Sequence, residues 1–384
     1  MSLPKIEAVY TGKFPTTSQN YFPGWGNFPR GIIEENTEKM MMLDLDFGKI
    51  CSRKCSCCFR QSPGFKHGDL NEMDYERLCD QIKLAVAKLG LREIKILGAG
   101  EPFENKKFLG FLRFLDSLGI TVSVFTKGHI IGSDKLAALF NSEYGITTGR
   151  ELAEELFRLN VGLIVGFNRV AAPEQDKWVG VDGHTELRNR AIEILAEVGF
   201  NKQNSSRLAI GCSPTTTENI AEMFDLYKWA RRRNIYTVIC PTMVSTFGDT
   251  WQNDLPSVDS LVELYTKIYQ WNIKVGINTL DQLRRDGISA YAGVAPCNQV
   301  ACGVYVTLDG IVHGCPGDDE LIHGDLNTET IVDIWKKSPN RKRAGTYNCG
   351  CPAKATKRGK TRRCSPIPPS LFRRVMQELE RSEQ

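Results

Sequence analysis

Short runs rich in Val, Ile, Leu and Phe alternate along residues 40–250 with longer segments in which apolar residues recur every three or four positions. The short runs have the length of strands, and most end at a glycine, a small residue or a polar residue. Strands are predicted at residues 42–47, 94–97, 121–126, 162–167, 208–212 and 236–240. Helices are predicted at residues 75–89, 106–118, 151–159, 185–197 and 217–232, with Thr217 and Asn219 as capping residues of the last.

This alternation of strand and helix predicts an α/β fold with a parallel sheet and right-handed crossovers. Six such units form either an open barrel or a doubly wound sheet, and the periodicity leaves both possibilities open. In either architecture ligands bind at the carboxyl ends of the strands. Six residues fall at or just beyond those ends: Cys51, Gly98, Thr126, Asn168, Cys212 and Cys240.

The pattern changes near Cys297, where a short hairpin is predicted around Asp309-Gly310 and a segment rich in Lys, Arg, Gly and Pro follows. We therefore expect three parts: an N-terminal extension (1–39), a main domain (40–290), and a small cysteine-rich domain with a C-terminal helix (291–384). The extension carries Phe22, Trp25 and Phe28 among Pro and Gly residues, and it could cover the barrel mouth or form a subunit contact.

Composition is ordinary for a soluble globular protein, with 41% hydrophobic and 24% charged residues among 384. No apolar run approaches the ~18 residues that a membrane span requires. Residues 1–13 lack the hydrophobic region of a signal peptide. We expect a cytoplasmic protein with no membrane partner.

The thirteen cysteines are a high count, and in a cytoplasmic protein they indicate metal ligation or catalysis rather than disulfides. They are concentrated in two groups, which suggests two metal sites. The second group overlaps residues 336–364, which contain eleven Lys and Arg and no acidic residue. The remaining 38 basic and 45 acidic residues give the rest of the chain a net charge of about −7.

The first cysteine group is Cys51-Ser-Arg-Lys-Cys55-Ser-Cys-Cys58, directly after the first predicted strand. Thiolates at this spacing on one loop can converge on one iron–sulfur cluster. Cys51, Cys55 and Cys58 fit the pattern CxxxCxxC and would leave one iron of a four-iron cluster free to chelate a small molecule. Part of a zinc site is the alternative, with His67 as the nearest histidine. Cys57 lies off the pattern.

These features resemble the radical S-adenosylmethionine (SAM) superfamily, in which CxxxCxxC lies on the first loop of a partial (β/α)6 barrel of the TIM type. Phe59 follows the last cysteine, and Gly98-Ala-Gly100-Glu101-Pro102 after the second strand resembles the family's SAM-binding turn. Glycines let the backbone approach a ligand, and a carboxylate can take a cationic amine. By resemblance, Gly98, Gly100 and Glu101 bind the methionine part of SAM, whose amine and carboxylate chelate the open iron.

Weaker matches continue along the later strands. Thr126-Lys127-Gly128 resembles the family's Thr-Asn-Gly turn, with Lys in place of Asn. Asn168 stands where the family often has a polar residue near the ribose of SAM, and Gly211 where its backbone often contacts adenine. Each is equally compatible with an ordinary strand end.

The second cysteine group resembles the SPASM and twitch extensions of radical SAM enzymes, which bind auxiliary clusters. Its members are Cys297, Cys302, Cys315, Cys349, Cys351 and Cys364, with the hairpin glycine Gly310 five residues before Cys315. The favoured interpretation is one auxiliary [4Fe–4S] cluster held by Cys297, Cys302, Cys315 and one later cysteine. Two incompletely ligated clusters and a structural zinc ribbon are the alternatives.

The resemblance implies that the reduced cluster cleaves SAM to methionine and a 5′-deoxyadenosyl radical, which takes a hydrogen from the substrate; flavodoxin or ferredoxin would supply the electrons. The outcome would be dehydrogenation or epimerisation. Cys212 and Cys240 are candidates to return a hydrogen atom to the substrate radical, with the inert buried cysteine as the alternative.

Few residues precede the first strand, which favours a small-molecule substrate (a sugar, aminoglycoside or nucleoside) over a ribosomal peptide bound by an N-terminal module. A protein that binds RNA through its basic tail is the non-enzymatic alternative, but it leaves the turn at residues 98–102 unexplained.

Overall fold

The structure, a computed structural model, describes residues 3–14, 21–58, 60, 70–203, 205–241, 254–349 and 367–382. The strands in these residues form one sheet in the order β6-β5-β4-β3-β2-β1-β7-β8-β9. They are β1 (Met42–Leu45), β2 (Glu93–Ile96), β3 (Thr121–Thr126), β4 (Gly162–Gly166), β5 (Leu208–Thr215), β6 (Tyr236–Pro241), β7 (Gly303–Val306), β8 (Ile311–Cys315) and β9 (Asp318–Asp325).

Strands β1 to β6 are parallel, and each pairs with its successor along the chain. A doubly wound sheet would reverse its strand order at a switch point, whereas this order runs from β1 to β6 without reversal. The prediction of a partial six-stranded barrel is therefore confirmed. The sheet is not closed, because β6 and β9 lie at its two edges.

Helices follow most of the strands and cover the outer face of the sheet. They are α1 (Arg30–Glu34), α2 (Tyr75–Leu89), α3 (Phe108–Ser117), α4 (Asp134–Asn141), α5 (Gly149–Arg158), α6 (Ala172–Val179), α7 (His184–Val198), α8 (Ile220–Arg231), α9 (Val258–Val275), α10 (Leu280–Asp286), α11 (Gln299–Cys302), α12 (Ile331–Lys337) and α13 (Pro369–Arg381). The five helices predicted from periodicity are all present, with ends that agree to within about one turn.

The helices also differ from the predictions, since α4, α6, α9, α10 and α12 were not among those predicted. The residue Asn219 does precede α8, but neither it nor Thr217 supplies a side-chain cap. The Asn219 amide donates instead to the carbonyl oxygens of Asn168 and Pro214 and so joins the ends of β4 and β5. The short helix α6 was not predicted, because its only large apolar residues, Trp178 and Val179, are adjacent and show no helical period.

The C-terminal strands extend the same sheet. β7 pairs parallel with β1, β8 pairs antiparallel with β7, and β9 pairs antiparallel with β8. The predicted hairpin around Asp309-Gly310 is confirmed as the β7–β8 connection, where Gly310 has a φ of +90° that favours glycine. This pairing brings Cys302, which directly precedes β7, against the start of the first barrel strand.

The N-terminal segment 21–27 fills the barrel at the amino ends of the strands. Phe22 and Trp25 pack with Ile164, Ala209 and Val238 in a buried cluster. The Gly26 amide donates to the carboxylate of Glu93 at the start of β2, and the Asn27 amide donates to the Tyr236 hydroxyl at the start of β6. A position over the barrel mouth, one of the two suggested for this segment, is therefore wrong for these residues.

In the part of the chain that the structure describes, no helix combines the length and the apolar character needed to cross a membrane.

Candidate active site

A cavity of about 810 Å³ opens at the carboxyl ends of the parallel strands. Its wall includes residues from the first cysteine loop and from the turns after β2, β3, β4 and β5. Nine residues that the sequence singled out line it together: Cys51, Cys55, Cys58, Gly98, Gly100, Glu101, Thr126, Asn168 and Gly211. The parallel strands bring these positions together, because each of these segments leaves the same edge of the sheet.

The cysteine loop is held against the C-terminal end of α6. The Lys54 amide donates to the Val179 carbonyl oxygen at 2.9 Å, and the Ser56 amide donates to the Trp178 carbonyl oxygen at 2.8 Å. Cys55 is buried against the same two side chains. Backbone hydrogen bonds thus fix the loop independently of any ligand.

A second set of contacts fixes the loop next to Cys51. Glu104 accepts hydrogen bonds from the Ser52 amide at 2.9 Å and the Ser52 hydroxyl at 2.5 Å, and it lies 2.8 Å from Nε2 of the buried His129. Burial opposes ionisation of Glu104, but the hydrogen bonds from His129 and Ser52 outweigh it and lower the pKa of this carboxyl. Sequence reasoning missed this pair, although Glu104 lies only three residues after Glu101.

Burial affects the protonation of two of the three thiols on this loop. Burial is the main reason that the pKa of Cys51 rises to about 12, and burial also raises the pKa of Cys58. Both groups therefore remain protonated at neutral pH until a metal displaces the proton. Cys57, the off-pattern residue, also lines the cavity.

Lys127 stands where the Thr-Asn-Gly turn that this segment resembles has asparagine, and its role could not be predicted from that difference alone. It lines the cavity, where burial disfavours its charge, but the thiols of Cys55, Cys57, Cys58 and Cys51, once ionised, raise its pKa above the ordinary value. A cation among these thiols favours their ionised, metal-binding form.

Among the described residues, no group of three His, Cys, Asp or Glu side chains has the geometry to hold a single metal ion.

The glycine-rich turn packs directly on the cysteine loop. The Glu101 amide donates to the Ile50 carbonyl oxygen at 2.8 Å. A Cβ atom on Gly100 would lie 2.2 Å from that same oxygen. Gly98 has a φ of +84° and lies against Pro102. These glycines allow the two loops to approach each other closely.

This close approach predicts a stability difference between two alanine variants of cavity glycines. Gly100→Ala forces a Cβ atom into the Ile50 carbonyl, and we expect a loss of about 1–3 kcal/mol in unfolding free energy. Gly211→Ala is the matched control, because its Cβ atom would find no atom nearer than 3.4 Å. Denaturant unfolding of the metal-free proteins measures both. Equal destabilisation of the two variants would contradict this packing.

Glu101 joins the turns after β2 and β3. One carboxylate oxygen accepts from the Thr126 hydroxyl at 2.6 Å, and the other accepts from the Lys127 amide at 2.8 Å. Each carboxylate oxygen has two lone pairs, so both retain the capacity to accept from a ligand amine. Glu101 is buried at the cavity wall, and its side chain both organises the turn and presents negative charge to the cavity.

The far wall is formed by the ends of β4 and β5. The backbone amide of Asn168 donates to the side-chain oxygen of Gln175 at 2.9 Å. The side-chain amide nitrogen of Asn168 lies 3.4 Å from the Ser213 carbonyl oxygen. Gly166, Gly211 and Ser213 complete this wall. Small residues at these positions leave room for a ligand between the strand ends.

The two cysteines proposed as hydrogen donors lie on different faces of the sheet. On β5, Cys212 packs with Leu208 and Ile210 in the core beneath the helices, and it does not line the cavity. The expectation that its side chain points to a substrate is therefore wrong, because alternate residues of a strand face opposite ways.

Cys240 follows Tyr236 and Val238 on the inner face of β6, since these alternate residues share the barrel side of the strand. Its thiol lies 3.3 Å from the hydroxyl of Ser213, which lines the cavity. Cys240 is buried immediately behind that wall.

Cys302 and Cys315 of the second cysteine group lie near the amino end of β1. Cys302 packs with Met41 and Met42. Its burial, and to a lesser extent the nearby thiol of Cys297, raise the pKa of Cys302 above the ordinary range. Cys315 is buried against Val300. The Asn348 amide donates to the Asn298 side chain at 2.8 Å, which ties the segment carrying the exposed Cys349 to the one carrying Cys297. Cys351, Cys364 and most of the basic segment lie outside the described residues.

No protein-family model matches the chain, and no curated protein sequence matches it. Several solved structures match its fold. SuiB of Streptococcus suis bound to precursor peptide SuiA is 13% identical over 88% of this chain and 77% of that chain, with a TM-score of 0.58. The structure of anSMEcpe with bound AdoMet and Kp18Cys peptide is 14% identical over 88% and 96%, with a TM-score of 0.56. SuiB bound to S-adenosylmethionine is 12% identical over 88% and 76%, with a TM-score of 0.53.

The chain has the fold of the radical SAM enzymes. The resemblance predicted from the cysteine spacing and the glycine-rich turn is thereby confirmed at the level of the fold.

Proposed function

We propose that this protein is a radical SAM enzyme that reductively cleaves SAM and starts its reaction by taking a hydrogen atom from the substrate. One observation carries the proposal. Residues from five separate segments, predicted individually from the sequence, line a single cavity at the strand ends. The alternative of an RNA-binding protein gives no reason for this convergence.

Cys51, Cys55 and Cys58 are the residues that would hold the [4Fe–4S] cluster, because they supply three thiols from one fixed loop. When bound, the cluster supplies the electron that cleaves SAM. Glu101 would accept a hydrogen bond from the methionine amine of SAM, while Asn168 and Gly211 lie where the nucleoside would be oriented. Lys127 would balance the negative charge of the thiolates.

The experiment is anaerobic reconstitution with iron and sulfide, followed by addition of SAM and dithionite. We expect the protein to form 5′-deoxyadenosine and methionine in equal amounts, and substrate to increase the rate. Failure to form 5′-deoxyadenosine in any cluster-loaded preparation would overturn the proposal.

For the substrate we propose a small molecule such as a sugar, an aminoglycoside or a nucleoside. The cavity has the volume of a small-ligand cleft, and SAM would take part of it. Residues 21–27 pack into the barrel and are therefore not free to bind a peptide.

A peptide-modifying enzyme is the second candidate, and it is supported by SuiB and anSMEcpe, whose structures contain peptides. Stimulation of 5′-deoxyadenosine formation by candidate small molecules or by candidate peptides distinguishes the two.

We further propose one auxiliary [4Fe–4S] cluster held by Cys297, Cys302, Cys315 and one of the later cysteines. The hydrogen bond between Asn348 and Asn298 favours Cys349 as the fourth ligand. The position of Cys302 and Cys315 at the amino end of β1, away from the SAM cavity, suits an electron acceptor that is separate from the SAM-cleaving cluster.

Cys240 gives a testable prediction about the outcome of the reaction. If the enzyme is an epimerase, Cys240→Ala should still consume SAM but should yield an oxidised or trapped product, because no thiol then returns a hydrogen atom. In deuterated water the unaltered enzyme should incorporate one solvent deuterium into the product, since thiol protons exchange with solvent.

Cys212→Ala is the matched control, because it removes a buried thiol from the opposite face of the neighbouring strand. An unchanged product from Cys240→Ala would eliminate the donor role and favour dehydrogenation.

A further inference from the structure

A buried ion pair lies inside the barrel and takes no part in the SAM cavity. Lys95 Nζ is 3.0 Å from Asp44 Oδ1, and the two side chains are only 5% and 1% exposed. The residues stand opposite each other in the register of β1 and β2. In the part of the chain that is described, nothing other than Lys95 compensates the Asp44 carboxylate.

The pair lies one layer below the SAM cavity. Leu97 lines the cavity and lies on the same face of the strand as Lys95. Lys95 comes two residues earlier, which places it about 7 Å further from the cavity along the strand. The Lys95 ammonium lies 4.5 Å from the centre of the Trp25 ring. Trp25 in turn contacts Phe125 of the cavity wall at a ring distance of 5.7 Å. The N-terminal segment therefore covers the ion pair and separates it from water.

Two cysteines proposed for the auxiliary cluster lie on the other side of the pair. Tyr305 of β7 pairs with Asp44 on one side and with His313 of β8 on the other, so Cys302 and Cys315 lie two to three residues further toward the amino end of β1. Asp44 and, when ionised, the thiols of Cys297 and Cys315 raise the pKa of Lys95 despite its burial, so Lys95 keeps its positive charge. The charge lies between the SAM cavity at the carboxyl ends of the strands and these two cysteines.

A buried ion pair is a poor means of gaining stability. Removing two charges from water costs several kcal/mol per ion, and well-packed neutral residues of similar volume are often as stable. The same low dielectric that makes the pair costly makes each charge act strongly on its neighbours. Cluster reduction potentials respond to nearby charge and to solvent exposure.

We propose that Lys95 is a positioning charge that raises the reduction potential of the auxiliary cluster, and that Asp44 limits the increase. The inference rests on the auxiliary cluster of the proposed function. A higher potential makes that cluster a better acceptor for an electron from the substrate radical. Trp25 contributes by holding the ammonium and excluding water.

The test uses the full chain carrying Cys51→Ala, Cys55→Ala and Cys58→Ala, so that the auxiliary cluster alone gives a signal. Its midpoint potential is measured by redox titration with electron paramagnetic resonance. We expect Lys95→Met to shift the potential downward and Asp44→Asn to shift it upward. Lys95→Arg, which keeps the charge, should stay closest to the parent protein.

Shifts of the midpoint potential in opposite directions support the proposal. A purely structural disturbance would not shift the potential down when the positive charge is removed and up when the negative charge is removed. If Lys95→Met does not fold, the comparison of Asp44→Asn with Asp44→Asn/Lys95→Met replaces it, and the double variant should have the lower potential. An unchanged potential, or shifts in one direction for both charges, would overturn the role of Lys95 and leave the cluster assignment intact. Absence of any cluster signal in the parent would overturn the auxiliary cluster itself, and this inference with it.

Discussion

The triple variant Cys51→Ala, Cys55→Ala, Cys58→Ala is expected to lose all reductive cleavage of SAM. Removing three thiols from one loop leaves a four-iron cluster without protein ligands on that side of the cavity. The unaltered protein, purified anaerobically, should be brown with roughly eight irons, and the variant should retain about four. Iron analysis, the visible spectrum and 5′-deoxyadenosine formation measure these three consequences.

The matched control is Cys79→Ala, a buried cysteine of α2 that lies away from the cavity. It should keep both the iron content and the SAM cleavage of the unaltered protein. Loss of all iron in the triple variant would mean that the second cysteine group holds no cluster of its own. A colourless protein with tightly bound zinc would contradict the radical SAM proposal altogether.

Glu101→Gln should weaken SAM binding far more than it disturbs the fold. The change removes the negative charge that faces the cavity, and a hydrogen bond to a charged group contributes about 1.5–3 kcal/mol. We therefore expect a roughly ten- to hundredfold rise in the dissociation constant for SAM. The fold should tolerate glutamine, because the Thr126 hydroxyl can rotate to accept from the new amide group.

Equilibrium binding of SAM to the cluster-loaded protein measures this effect, with thermal unfolding of the same preparations as the check on folding. Glu155→Gln is the control, since Glu155 also holds two donors, Arg113 and Arg158, but lies on a distant helix surface. An unchanged SAM affinity in Glu101→Gln would limit Glu101 to organising the turn with Thr126 and Lys127.

The residues of the candidate site could be predicted from sequence where local spacing carries the chemistry. CxxxCxxC and the glycine-rich turn are short motifs whose residue types are required by metal ligation and by close backbone approach. Gly100 illustrates this, because only a residue without a side chain fits against the Ile50 carbonyl. The ends of strands carry ligands in any parallel sheet, so Thr126, Asn168 and Gly211 could be listed before the fold was known.

Residues that act through distant partners could not be found in this way. Glu104 and His129 hold the cysteine loop through Ser52, and the sequence gives no local sign of that contact. Lys95 and Asp44 belong to strands separated by an entire helical crossover, and only the register of β1 and β2 makes them a pair. Cys212 and Cys240 look equivalent in sequence, but the alternation of each strand puts only Cys240 on the barrel side.

By itself, the sequence determined the class of fold and the spacing of the three thiols proposed as cluster ligands. Both follow from interactions within a few residues, namely hydrophobic periodicity and ligand spacing. The tertiary structure alone decided that residues 21–27 fill the barrel, that β7 joins β1, and that Lys95 and Asp44 form a buried ion pair. These features depend on which distant surfaces bury each other, and such burial leaves no periodic trace along the chain.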